Sequence, residues 1–214
     1  MFPVWTLLPI ATFWLTSTFL YCFGFDSQAN INDPKNKCTL KQTLIRMLLL
    51  NVIQVSLTLP LEFCLIPELM PKDQINGFRI AYFLFGVFLL DAMEYFLHRL
   101  YHSNSILYMA LHKTHHEMKS CFSFGALYNS ISESIITAGL ISFVVLIVFK
   151  FTLQEYSIVQ SLAVFATVLD HCSYFDNINI LGRKQFHSVH HEKRYYILVI
   201  LSSSSINAAI YIKY

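Results

Sequence analysis

Long apolar runs separated by short polar segments dominate the first half of the chain. Pro3 to Phe25, Leu44 to Ile66 and Phe78 to Leu97 are each long enough to cross about 30 Å of hydrocarbon as a helix. Asp26 to Lys41, between the first two, holds Asn32, Asp33, Pro34 and Asn36 and predicts a loop. Pro67, Pro71, Asn76 and Gly77 break any continuous helix between the second and third. A further pair of apolar runs follows, Ile135 to Phe149 and Tyr156 to Leu169, joined around Lys150 and Glu155. Each is short for a full crossing, and a backbone exposed to lipid must bond internally. The pair therefore predicts a helical hairpin that enters the membrane and returns to the side it left. His171 then lies on the same side as His98 to His116. The pattern predicts an all-α integral membrane protein.

Composition agrees with that pattern. The 214 residues are 55% hydrophobic and 15% aromatic, and only 13% are charged, against roughly 25% in soluble domains. The net charge is +2 with no long run of Lys or Arg, so nucleic acid is not an expected partner. The five cysteines, Cys22, Cys38, Cys64, Cys121 and Cys172, are scattered and odd in number; they read as thiols in membrane or cytosolic surroundings. The first 25 residues are apolar but lack a basic n-region and a small-residue cleavage site, which predicts a retained first span. No N-x-[ST] acceptor marks a lumenal segment. With the N-terminus outside, Lys35, Lys37, Lys41, Arg99, Lys113, Lys119, Arg183, Lys184, Lys193 and Arg194 all fall on the cytosolic face, which is the orientation the positive-inside rule prefers. There is no solenoid repeat, and Ser202 to Ser205 is the sole low-complexity tract.

The candidate chemistry lies in the histidines. All nine fall in four short places: His98 and His102; His112, His115 and His116; His171; and His187, His190 and His191. Residues four apart share one face of an α-helix, so His98 with His102, His112 with His116, and His187 with His191 can each aim two imidazoles at one point. The extra histidine at 115 or 190 is displaced by about 100° and can reach a second ion beside the first. Structural zinc usually takes four ligands and uses Cys freely. A large set of imidazoles without paired Cys suits two redox-active irons better. For the lone His171 an ordinary hydrogen-bonded residue is the weightier explanation.

Nearby acids are candidate partners for the second imidazole nitrogen. Asp91 and Glu94 precede His98 by one to two turns, Glu117 follows His116, Asp170 precedes His171, and Glu192 follows His191. Asp91, at the end of an apolar span, is costly without a partner or a task. Glu117 and Glu192 are equally well explained as balancing nearby Lys and Arg.

The order H-x-x-x-H, H-x-x-H-H, single His, H-x-x-H-H resembles the fatty acid hydroxylase and sterol desaturase superfamily of membrane di-iron oxygenases. The runs D-A-M-E-Y-F-L-H-R-L-Y-H (Asp91 to His102), F-G-A-L-Y-N-S-I-S-E (Phe124 to Glu133) and D-H-C (Asp170 to Cys172) look like its sphingoid-base C4-hydroxylase branch. The resemblance covers roughly Asp91 to Glu192. It implies membrane helices carrying a cytosolic histidine-rich helical cap around a dimetal centre, in the endoplasmic reticulum. It also implies two iron ions (zinc being the ion that purification could leave instead), O2, and electrons from an NAD(P)H reductase through cytochrome b5. The implied ligands are His98, His102, His112, His115, His116, His171, His187, His190 and His191. Asp91, Glu133 and Asp170 are implied as supporting acids.

The chain departs from the family twice. Ser130 stands where the family's G-A-L-Y-N-H-P-x-E run has a histidine, and Tyr195 to Tyr214 does not follow the family's usual continuation. The domain expectation is 1–80 for N-terminal membrane helices and loops, 81–194 for the di-iron catalytic domain, and 195–214 for an apolar tail that is atypical or truncated.

A methylene C–H offers nothing to side-chain acid or base chemistry and calls for an activated oxygen species; the resemblance implies O2-dependent hydroxylation of a lipid chain, at carbon 4 of a sphingoid base or dihydroceramide. The alternatives are a sterol C4-methyl oxidase or desaturase of the same superfamily and a non-catalytic metal-binding membrane protein.

Overall fold

The computed structural model describes residues 4–27, 32–64, 77–141, 144, 147–172, 174, 187 and 190–192. Among them there is no strand; four long helices and a set of short helical turns carry the fold. The 195–214 tail and the spacer 65–76 lie outside the described residues.

Helix α1 spans Val4–Cys22. Gly24 ends it with a left-handed backbone, φ 77°. That geometry turns the Phe25 amide back onto the Leu20 carbonyl at 2.9 Å and the Gly24 amide onto Tyr21 at 3.2 Å, a Schellman closure. Helix α2 spans Leu40–Cys64 and starts before its apolar run. A Thr39/Gln42 capping box explains the early start: Gln42 N–H donates to Thr39 Oγ1 and Thr39 N–H to Gln42 Oε1. Helix α3, Gly77–Ser103, carries its apolar run straight through the first histidine pair. Asn104 then caps a one-turn helix, Ser105–Leu107, by accepting the Ile106 and Leu107 amides.

Of the expected hairpin, the described residues show the turn and the returning helix. A π-helical stretch, Ile135–Ile141, leads into it, and Lys150 turns the chain at φ 48°. A Thr152/Glu155 capping box opens α4, Leu153–His171. The tip is held against the start of α3, where Arg79 donates to the Lys150 carbonyl and pairs with Glu155. Phe151 packs on Gly86 so closely that a Cβ there would collide with the ring. With 19 residues at 1.5 Å each, α4 is about 28 Å long. The sequence suggests shorter legs because the polar capping residues hide the true start of α4.

Among the described residues two helices, Leu40–Pro60 and Arg79–Ser103, are long and apolar enough to cross a membrane. Ile45, Leu48, Leu49, Val52 and Leu57 of α2 are exposed, as lipid-facing residues would be. One core joins Phe13 and Leu20 of α1, Met47 of α2, the 118–128 segment and Val168 of α4. A second packs Leu90 of α3 against Phe149, Phe151 and Val159 at the hairpin tip. The histidines lie at the opposite end of α3 from that tip.

Candidate metal centre

The second histidine segment is not a regular α-helix. Tyr108–His112 is a π-turn closed by Lys113 N–H donating to the Tyr108 carbonyl at 2.8 Å, and His115–Glu117 is a 3-10 turn. The local unwinding matters because successive residues of a 3-10 turn diverge by about 120°. The rings of His115 and His116 stand at 89° to one another.

All nine imidazoles come together, in two groups. His98, His102, His112, His116 and His190 form the first; His115, His171, His187 and His191 form the second. Within each group the ligand-capable nitrogens lie within 4.8 Å of one another. The odd histidine of the second segment, His115, leaves its neighbours for the second group, and the odd one of the third, His190, leaves for the first.

The nitrogens in contact are all Nε2. His98 meets His190 at 2.9 Å, and His116 meets both His102 and His112 at 3.1 Å. In the second group His187 meets His171 at 3.0 Å and His191 at 3.1 Å. Hydrogen bonds among the rings do not account for this. His171 Nδ1 lies 2.8 Å from the Thr167 carbonyl and His191 Nδ1 lies 2.9 Å from the Met118 carbonyl. A carbonyl only accepts, so both rings carry their proton on Nδ1 and present a lone pair at Nε2. His187 has at most one proton to share between them. Convergent lone pairs call for a cation. Two nitrogens about 2.1 Å from one ion at right angles stand about 3.0 Å apart, which is the spacing seen.

Burial keeps these groups ready for an ion. His115, His187 and His191 are held neutral by desolvation, far below the usual imidazole range. His112 is pushed down to about 2 by burial and the neighbouring rings. Glu133 lies with Oε1 2.5 Å from His112 Nδ1, and burial pushes its carboxyl up to about 8. Its second oxygen, like His115 Nδ1 and His116 Nδ1, is buried with no hydrogen-bond partner. An ion drawing on His112 Nε2 would acidify Nδ1–H and favour the ionised carboxylate as its acceptor. The residues therefore fit two nitrogen-bound cations.

Of the candidate acids, Glu133 stands against an imidazole, that of His112. Ser130 supports it as helix cap, accepting the Glu133 amide at 3.1 Å and donating to the Leu111 carbonyl at 2.8 Å. Asp91 and Glu94 are half-buried on α3, and Asp170 is half-buried on the last turn of α4. His171 Nδ1 faces Thr167, one turn back, instead of an acid. Glu192 pairs with Lys35 at the surface. Sequence reasoning missed the Met118 and Thr167 carbonyls, which have no side-chain signature. It also missed Asp26, buried and accepting from the Ser123 amide and hydroxyl.

A family model described as fatty acid hydroxylase matches residues 83–203, more than half of the chain. The chain belongs to the fatty acid hydroxylase family. Within the family it is 25% identical to sphinganine C4-monooxygenase 2 of Arabidopsis thaliana over 204 residues, which cover 87% of this chain and 77% of that protein. It is 33% identical to sphingolipid C4-hydroxylase SUR2 of Saccharomyces cerevisiae over 113 residues, 50% of this chain and 32% of the relative. It is also 33% identical over 118 residues to very-long-chain aldehyde decarbonylase GL1-9 of Oryza sativa subsp. japonica, covering 51% and 45%. The aligned part thus spans about a third of the yeast relative's length and under half of the rice one's. No solved structure matches the chain.

Proposed function

We propose that this protein is a multi-pass membrane lipid hydroxylase that holds two iron ions on its nine imidazoles and hydroxylates carbon 4 of a sphingoid base or dihydroceramide. The observation that carries the reading is the pair of convergent imidazole groups, five and four, with the Nδ1 atoms of His112, His171 and His191 set against Glu133 and two carbonyls. Residues 81–194 form the catalytic domain on the N-terminal helices. The matches to C4-hydroxylases support the choice of substrate and carbon.

Bound iron would supply the O2-derived oxidant that an unactivated C–H bond requires and side chains lack. The protein's own part is to orient and to exclude. Glu133 accepts from His112 Nδ1, and Met118 and Thr167 accept from His191 and His171, which fixes the tautomer and direction of each ring. The second group is wholly buried, whereas His98 and His102 on α3 are half-exposed. Substrate therefore approaches from α3. Electrons come from a cytochrome b5-type donor on the cytosolic face of the endoplasmic reticulum.

The test is expression in a cell lacking this hydroxylase, with lipids profiled by mass spectrometry. The expected result is phytosphingosine-type lipid that disappears in His112→Ala. Metal-loaded protein with no such product, or with altered sterols instead, overturns the substrate assignment. The rice relative favours a second reading, action on a very-long-chain aldehyde. Long-chain alkane in the same extract would select it.

A further inference from the structure

The loop between α1 and α2 reads in sequence as a plain connector, yet it grips the segments that carry the second and third histidine boxes. An Asx turn shapes it: Lys35 N–H donates to Asp33 Oδ1 at 2.9 Å, and Asn36 N–H to the Asp33 carbonyl at 2.8 Å. Lys37 N–H then donates to the Glu117 carbonyl at 3.0 Å. The Asn36 side-chain oxygen accepts two consecutive amides, Lys119 at 2.7 Å and Ser120 at 2.9 Å.

Those amides belong to an irregular stretch that begins at Met118, just past the 3-10 turn bearing His115 and His116. No helix or sheet ladder fixes it, so its position depends on such contacts. Met118 is fully buried and packs directly over Gly125, where a Cβ would strike its sulfur. Its carbonyl is the acceptor of His191 Nδ1. Lys119 Nζ adds a second tie, donating to the His191 carbonyl at 2.8 Å.

We infer that Asn36 is a positioning residue for the second metal group: by holding the Lys119 and Ser120 amides it places the Met118 carbonyl, which orients His191. This rests on the two-ion reading above. The first group depends less on this route: His116 shares the turn, but His98 and His102 stand on α3 and His112 is oriented by Glu133 from another segment. Loss of Asn36 therefore weakens the second group's ion more than the first's.

The experiment uses the full chain purified in detergent and loaded anaerobically with iron(II). Iron per chain is counted by elemental mass spectrometry, and a chelator titration ranks how firmly each ion is held. Wild type is expected to hold two ions. Asn36→Ala and Asn36→Ser, which lack an oxygen able to bridge both amides, should hold one ion, that of the second group, about tenfold less firmly, the low end for removing a support behind a ligand. Asn36→Asp keeps the acceptor and should recover wild-type binding. Lys35→Ala, which breaks only the exposed pair with Glu192, should match wild type. Two ions held as firmly in Asn36→Ala as in wild type overturn the inference alone. So does an equal defect in Asn36→Asp or Lys35→Ala. A wild-type protein that binds no iron overturns the two-ion reading itself.

Discussion

The two imidazole groups are neighbours made of the same side chain, but they are supported differently. The first, with five rings, leans on an ionisable acid: Glu133 faces His112 Nδ1, and His98 and His102 remain half-exposed on α3. The second, with four, is buried throughout and leans on main-chain carbonyls of Thr167 and Met118. A carbonyl cannot change its charge, so the directions of His171 and His191 are fixed by folding alone. The first can be tuned by protonation and reached from outside. The contrast points to a division of labour, with the second group as anchor and the first as the side that meets substrate.

The sharpest way to break this contrast is to remove a ring from the smaller group. His191→Ala leaves three imidazoles there; iron should fall from two ions to one, and product should drop by more than about 100-fold, beyond the range for supporting residues. Equal loss of both ions would mean that the groups are not separable.

Acid comes next. Burial holds His112, His115, His116, His187 and His191 neutral in the fold. The unfolded chain binds protons that the fold refuses, so stability is lost as pH falls below about 6.5. From pH 6.5 to 5 the metal-free protein should lose about 2 kcal/mol per buried imidazole, read as a falling Tm.

Glu133 works in the opposite sense. Its carboxyl, raised to about 8, keeps in the fold a proton that the unfolded chain releases above about 4.5, so its contribution drains away as pH rises towards 8. Glu133→Gln should flatten the alkaline limb by about 2 kcal/mol between pH 6.5 and 8. It should also weaken the first ion about 10- to 100-fold while leaving the second in place. The smallest expected effect is Ser130→Ala, which removes the cap beneath Glu133 and should cost about 1 kcal/mol in thermal unfolding without releasing either ion.

The pairing of histidines four apart, and the offset that sends His115 and His190 toward a second ion, were legible in the sequence; the division into five and four was not. Spacings of four pair His98 with His102 and His187 with His191, and the odd histidines at 115 and 190 go to opposite groups as their angular offset predicts. The backbone that achieves this at the second box was not legible. His112 to Glu117 abandons the α-helix, and no residue there announces a π-turn beside a 3-10 turn. The start of α2 is legible in T-L-K-Q, a capping box that opens the helix ahead of its apolar run. The carbonyls of Met118 and Thr167 are not, because every residue carries one and tertiary placement alone selects them.

The sequence distance between the members of each group has a thermodynamic consequence. An ion shared by His115 and His191, or by His98 and His190, is a cross-link closing a long chain loop, and it acts on the unfolded ensemble much as a covalent staple does. On the two-iron reading proposed above, iron supply would govern how long the folded chain lasts as well as its activity, and starvation for the ion would become a route to its turnover.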